Sequence, residues 1–293
     1  MDYLSQMIIN DDWQPIAHNS RKEKAADLKL MHPALLLAHG KYTSSINSFA
    51  SPLPASQLTA AQKELLIEYY EHPPAELKRV IQKRRNEHEL QCCPYCGYPY
   101  IPDTLDHFVP KDYWPEFSFF PNNLVPQCRG CAPIKGSAYY CSDKHTCFFI
   151  HPMYSPILSK TRISISIAIS RALSKPEFGV KVTVETADAG EASRVATHLN
   201  KIKMKTRTLA YCRREFSHLK NQLIARHFNI KDLLRHTIES RTSINGPARD
   251  WKTALYQAIH NNDAAVDYLH SFRPPAVVSK GIGRLAEIEV ELE

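Results

Sequence analysis

Between Cys93 and Gly136 the chain reads CPYCG (93–97), TLDHFVP (104–110), FPNNLVPQCRGC (120–131) and APIKG (132–136). Two Cys-x-x-Cys pairs bracket an Asp-His step and an Asn-Leu step, a density of metal- and proton-handling side chains found nowhere else in the sequence. Cys93 and Cys96 form one pair, Cys128 and Cys131 the other, with 31 residues between them. Each pair presents two thiolates from one tight knuckle. Two knuckles complete a tetrahedral zinc site with no open position, which is structural and not catalytic. Gly97, directly after the first knuckle, relieves backbone crowding there. Cys92 sits at the wrong spacing and, like Cys212, reads as an ordinary thiol. Cys141, His145, Cys147 and His151 are ligand types too irregularly spaced to read as a second site.

Working outward, 293 residues suit one large or two ordinary domains, and 43% apolar with 23% charged residues is the composition of a globular protein. No run reaches the roughly 18 apolar residues of a membrane span. The first residues, MDYLSQMIINDDW, carry acids where a secretory leader carries Lys or Arg, so a cytoplasmic, reducing location is expected. In that setting paired cysteines point to metal and not to disulfides. The net charge of +7 suits a nucleic-acid partner. It is concentrated between Arg194 and Arg226, where nine Lys or Arg face one acid, Glu215, a local excess of +8. Lys201, Lys203, Lys205, Arg207, Arg213 and Arg214 are the expected phosphate contacts of that stretch, with Lys135 nearer the centre.

The flanks set the fold class. Residues 1–90 read as mostly helical: a turn or two at His32–Ala38, a helix capped by Thr59 and stopped by Pro73-Pro74, and another over 75–90 bearing Lys78, Arg79, Lys83, Arg84 and Arg85. TRISISIAIS (161–170) and FGVKVTVET (178–186) alternate as a β-hairpin. Helices then run from Glu191 almost to Phe272, and the last ten residues, RLAEIEVELE, alternate like an edge strand. The expectation is an α+β protein in three segments: 1–90 helical, 91–152 the cysteine-stapled core, and 153–293 a hairpin followed by a basic helical region.

Within that core the order Asp106-His107, Asn123-Leu124, last cysteine, Lys135-Gly136 resembles the HNH nucleases, the His-metal-finger class with a ββα-metal core. The resemblance covers about residues 90–152. It implies a metal-dependent endonuclease that hydrolyses phosphodiester bonds of DNA, or RNA, with His107 as general base and Asp106 as ligand of a catalytic Mg²⁺ or Mn²⁺. It also implies that Asn123 fixes the loop and ring of the base, with Asn122 as rival for that role. HNH enzymes place His or Asn after the fourth cysteine as a further metal ligand. Ala132 stands there, so either the ion rests on Asp106, substrate phosphate and waters, or another side chain substitutes, His151 first and His145 second. The alternative is a zinc-containing nucleic-acid-binding or regulatory subunit without catalysis. The wider phrase LDHFVPK, WPEFSF, NNLVPQC and His151-Pro152 resembles a bacterial subset encoded beside an ATPase in antiphage defence, which makes an ATPase the expected partner protein.

Overall fold

The computed structural model describes residues 1–48, 50–169, 175–226 and 228–273. The edge strand expected over 284–293 lies outside them. The N-terminal part is helical, with α1 (Gln14–His18), α2 (Ala25–Asn47), α3 (Ala60–Glu71) and α4 (Ala75–Asn86). At His32–Ala38 the sequence suggested one or two turns, yet α2 runs 23 residues straight through Pro33. An interior proline costs a helix about 3 kcal/mol. Here burial of Leu28, Met31, Leu35, Tyr42 and Ile46 along one side offsets it. Thr59 caps α3 as expected: its hydroxyl accepts from the Gln62 amide while the Gln62 side chain accepts from the Thr59 amide. Helix α4 stops at Asn86, short of the expected 90.

The central segment holds β1 (Thr104–His107), β2 (Leu124–Gln127) and the short helix α5 (Ala132–Lys135), followed by a small hairpin of β3 (Tyr140–Cys141) and β4 (Thr146–Cys147). Strands β1 and β2 are antiparallel, with Thr104 opposite Gln127 and His107 opposite Leu124. The predicted isoleucine hairpin forms as β5 (Thr161–Ala168) against β6 (Glu177–Val184), Thr161 opposite Val184 and Ala168 opposite Glu177. Helices α6 (Ala189–Lys201), α7 (Met204–Ala225), α8 (Ile230–Glu239), α9 (Trp251–His260) and α10 (Asp263–His270) complete the described chain. Separate two-stranded antiparallel sheets among helices make this an α+β protein.

Two apolar cores meet at β2. One gathers the knuckle cysteines, Tyr95, Val125, Ile163, Leu219 and Trp251. The other joins α1–α4 through Leu28, Leu35, Leu66 and Leu77 to Phe119 and Leu124. Leu124 and Val125 point to opposite faces of the strand, so each core takes one of them. Packing therefore crosses both segment boundaries read from the sequence. Arg84 adds a pin between them: from α4 its Nε donates to Leu124 O at 2.8 Å and Nη1 to Met7 O at 3.0 Å. Read in sequence as part of a basic face, Arg84 is buried, which pulls its pKa down to about 10. Among the described residues no helix is long and apolar enough to cross a membrane.

Candidate metal centre and the adjoining Asp-His site

The four knuckle sulfurs converge. Cys93, Cys96, Cys128 and Cys131 are all buried, with their Sγ atoms within 4.8 Å of one another. Cys96 Sγ and Cys128 Sγ lie 3.8 Å apart, close to the roughly 3.8 Å edge of a tetrahedron with Zn–S arms of about 2.3 Å. The donor set fits zinc. Local backbone explains the convergence. The Gly97 amide returns to Cys93 O at 2.8 Å, and the Cys131 amide to Cys128 O at 2.9 Å, closing both knuckles. Gly97 has φ +73°, and a Cβ there would lie 2.7 Å from Arg249 O, so glycine is required twice over. The Trp251 indole N–H donates to Cys96 O at 2.6 Å, tying the knuckle to α9.

Among the described residues one cation faces this cluster. Arg207, on α7, donates from Nη1 to Cys131 Sγ at 3.2 Å, while Nη2 lies 3.6 Å from Cys128 Sγ and 3.8 Å from Cys96 Sγ. Its guanidinium sits over the Trp251 ring at 5.4 Å. Gly130 leaves room for it, because a Cβ there would meet Nη2 at 2.5 Å. Burial pushes the Cys93 and Cys96 thiols up, while the Cys131, Cys93 and Cys96 sulfurs, with Arg207 adding to them, pull Cys128 far down. Arg207 was expected on phosphate; the structure spends its donors on sulfur. Among the described residues Cys141, His145, Cys147 and His151 form no comparable cluster.

Beside the knuckles, β1 delivers Asp106 and His107 to different partners. The Asp106 carboxylate accepts from the Tyr95 hydroxyl at 2.7 Å through Oδ2, and its Oδ1 lies 3.1 Å from Lys135 Nζ. Lys135, from α5, is fully buried and also donates to His107 O at 2.9 Å and Phe108 O at 3.2 Å, so all three of its hydrogens are engaged. It was expected to reach nucleic acid. Instead it is an internal cation that neutralises Asp106 and ties the end of β1 to α5.

His107 points elsewhere. Its Nε2 donates to Ser118 O at 2.8 Å, and the Tyr70 ring meets the imidazole edge-on at 4.3 Å. Burial lowers its pKa to about 4, so the ring is neutral at pH 7. The bond to a carbonyl fixes the proton on Nε2 and leaves the Nδ1 lone pair as acceptor. The carbonyl it meets belongs to the loop that Asn123 organises. Asn123 is fully buried: Nδ2 donates to Val109 O at 2.9 Å and Phe117 O at 3.1 Å, while Oδ1 accepts from the Val109 amide at 2.7 Å and the Tyr42 hydroxyl at 2.8 Å. Asn122 instead exchanges two bonds with the backbone of Ile9. Of the two asparagines, Asn123 is thus the one that clamps the loop of the imidazole.

His151 is buried against Phe108, Tyr42 and Tyr154. Its Nε2 lies 3.2 Å from Asn122 O and 3.3 Å from the Tyr42 hydroxyl, and Nδ1 accepts from the Met153 amide at 3.2 Å. With both nitrogens engaged and its pKa driven well down by burial, it serves the packing around Asn123 and has no lone pair free for an ion. His145 is exposed on the β3–β4 turn. The donor set around Asp106 therefore does not fit Mg²⁺ or Mn²⁺: one carboxylate, already paired with an ammonium, with Ala132 offering no ligand.

The remaining cations divide. Lys203, Lys205, Arg213 and Arg214 are exposed on or just before α7, and Lys201 lies over the Phe148 ring at 4.1 Å. Sequence reasoning missed Tyr95, Tyr42 and Ser118, whose roles follow from contacts across 11 to 81 positions that no local spacing announces.

Fold and site together define an α+β protein organised on a buried four-cysteine cluster suited to a metal such as zinc. Over 61 residues the chain is 43% identical to Protein ea31 of Escherichia phage lambda, a match that covers 20% of each. The chain thus spans about a fifth of the length of the curated relative it matches, and that name states no activity. No family model matches the chain, and no solved structure matches it.

Proposed function

We propose that the chain is an HNH-type endonuclease hydrolysing nucleic-acid phosphodiester bonds, DNA before RNA, with His107 as the general base. The observation that carries the reading is the His107–Ser118 bond, which fixes the proton on Nε2 and leaves Nδ1 as acceptor of a ring that burial keeps neutral. In the step proposed, Nδ1 takes a proton from a water attacking phosphorus in line. A P–O bond forms to that water as the bond to the leaving oxygen breaks, and solvent protonates the leaving oxygen. A base of pKa about 4 is weak at pH 7, and an anionic phosphate beside it raises that value in the complex. Asn123 keeps the loop carbonyls in place, as an imidazole base requires. A role in antiviral defence and control by an ATPase partner belong to the same proposal and rest on the sequence resemblance.

A second reading, a zinc-containing nucleic-acid-binding or regulatory subunit without catalysis, is favoured by Lys135. Its ammonium holds the carboxylate that the resemblance assigns to a catalytic ion, and Ala132 adds no ligand. Incubating plasmid and tRNA with purified protein, with Mg²⁺, with Mn²⁺ and with neither, separates the two. The nuclease reading expects cleavage that disappears in His107→Ala. Cleavage surviving that change removes His107 as base; no cleavage under any condition favours the subunit.

A further inference from the structure

The most unusual exposed surface among the described residues lies on the outer side of the first knuckle. Tyr100 and Ile101 are 57% and 62% exposed, adjacent large apolar residues at the rim of a cleft of about 510 Å³. Aromatic rings floor this cleft. Tyr98 meets the buried Trp251 edge-on at 5.2 Å and Tyr211 at 6.2 Å. Tyr100 then stacks on Tyr98, centroids 5.0 Å apart with 29° between planes, which leaves the outer side of the Tyr100 ring to solvent. The knuckle and α9 hold this ladder of rings in place through the Trp251–Cys96 bond.

Guanidinium groups surround the rings. Arg214, exposed on α7, reaches the Tyr98 hydroxyl at 3.5 Å and lies 6.0 Å over the Tyr211 ring. Arg129, between the second-knuckle cysteines, lines the cleft opposite and pairs with Asp103. Behind them α7 adds exposed Lys205 and Arg213, and the one acid of the basic stretch, Glu215, is occupied by the Tyr256 hydroxyl. A flat ring with a free face, set among arginines on a basic helix, matches a nucleobase linked to an anionic backbone. An apolar protein segment would leave the Arg214 guanidinium without counter-charge. The cleft also lies near the Asp-His site: Asp103 precedes β1 and His107 ends it, four residues on, roughly 13 Å at about 3.3 Å per residue.

We infer that the Tyr98–Tyr100 cleft binds unpaired nucleic acid, with one base stacked on Tyr100 and the neighbouring phosphate held by Arg214. This gives the nucleic-acid reading above a substrate form, single-stranded or locally opened, and a contact independent of the hydrolytic residues.

Fluorescence anisotropy with a labelled oligothymidylate and a matched duplex, using the full zinc-loaded chain without added Mg²⁺, tests it. Tyr100→Ala is expected to weaken single-strand binding about tenfold, Tyr100→Trp to keep it, and duplex binding to change little. Arg214→Ala is expected to weaken binding and flatten its salt dependence. Single-strand binding unchanged in both Tyr100→Ala and Arg214→Ala overturns the assignment, as does equal weakening for duplex and single strand. Because Tyr100 is exposed, matching thermal transitions of the variants exclude a folding defect. The two proposals fail separately. A protein that binds single strands through Tyr100 yet cleaves nothing keeps this site and loses the nuclease. One that cleaves through His107 while neither Tyr100→Ala nor Arg214→Ala weakens single-strand binding does the reverse.

Discussion

The knuckle cluster and the Asp106 site both place anionic groups in the interior, and each has recruited one internal cation, Arg207 in the first and Lys135 in the second. The difference is the count. Four thiolates could be buried together beside one guanidinium only with a divalent ion to complete the balance, and without it burial favours the neutral thiols of Cys93 and Cys96. One carboxylate against one ammonium, with a tyrosine hydroxyl on its other oxygen, is already balanced. The need for metal at a buried site thus follows from charge left over after the protein's own cations are placed, not from the presence of ligand-type residues.

The largest effect expected from that comparison is loss of zinc. Purified protein should carry about one zinc per chain by elemental analysis, and Cys96→Ser or chelator stripping should abolish cooperative unfolding, since such sites contribute on the order of 10 kcal/mol. A metal-free protein that melts like the loaded one would break the comparison at its strong end.

Next comes Lys135. Lys135→Met strands Asp106 and two carbonyls, with an expected loss of about 3–5 kcal/mol in denaturant unfolding. Adding Asp106→Asn should restore part of it, because the uncompensated charge goes with it. If the double variant is no more stable than the single one, charge balance is not what Lys135 supplies.

Gly97→Ala probes the knuckle backbone without touching a sulfur. With φ at +73° and Arg249 O in the way, the variant should lose about 2–4 kcal/mol while retaining zinc. Retained stability would mean that the backbone there can shift freely.

The smallest expected effect concerns pH. His198 is buried, with Nε2 donating to Tyr95 O at 2.7 Å and Nδ1 accepting from the Ile150 amide, and burial lowers its pKa to about 4. Its unfolded value is near 6.5. A depressed pKa means the unfolded chain takes up the proton first, so the stability is present above about 6.5 and is lost as pH falls toward 4. His107, depressed to about 4 in the same way, adds the same sign. Urea midpoints of wild type should fall more steeply than those of His198→Gln between pH 7 and 5, by up to about 1.4 kcal/mol per pH unit. Parallel slopes would show that His198 does not titrate in that window.

Much of this protein was legible from local pattern. Alternating isoleucines give β5 and alternating Phe and Val give β6, Thr59 gives the start of α3, and two Cys-x-x-Cys pairs give the cluster, because periodicity, capping and ligand spacing act over a few residues. The resemblance assigned Asn123 to the loop of the base; in the fold its side chain bonds the backbone of Val109 and Phe117. The length of α2 through Pro33 was not legible, since burial against distant helices decides it.

Nor could the sequence say where charges go. Lys135, Arg207 and Arg84 look like surface cations in a basic chain, and each is turned inward by an acceptor far away in sequence. Sequence alone determined the α+β class and the four sulfur ligands, whose information is local. Only the tertiary structure decided which cation faces which anion, because pairing depends on distances between elements that meet only in the fold.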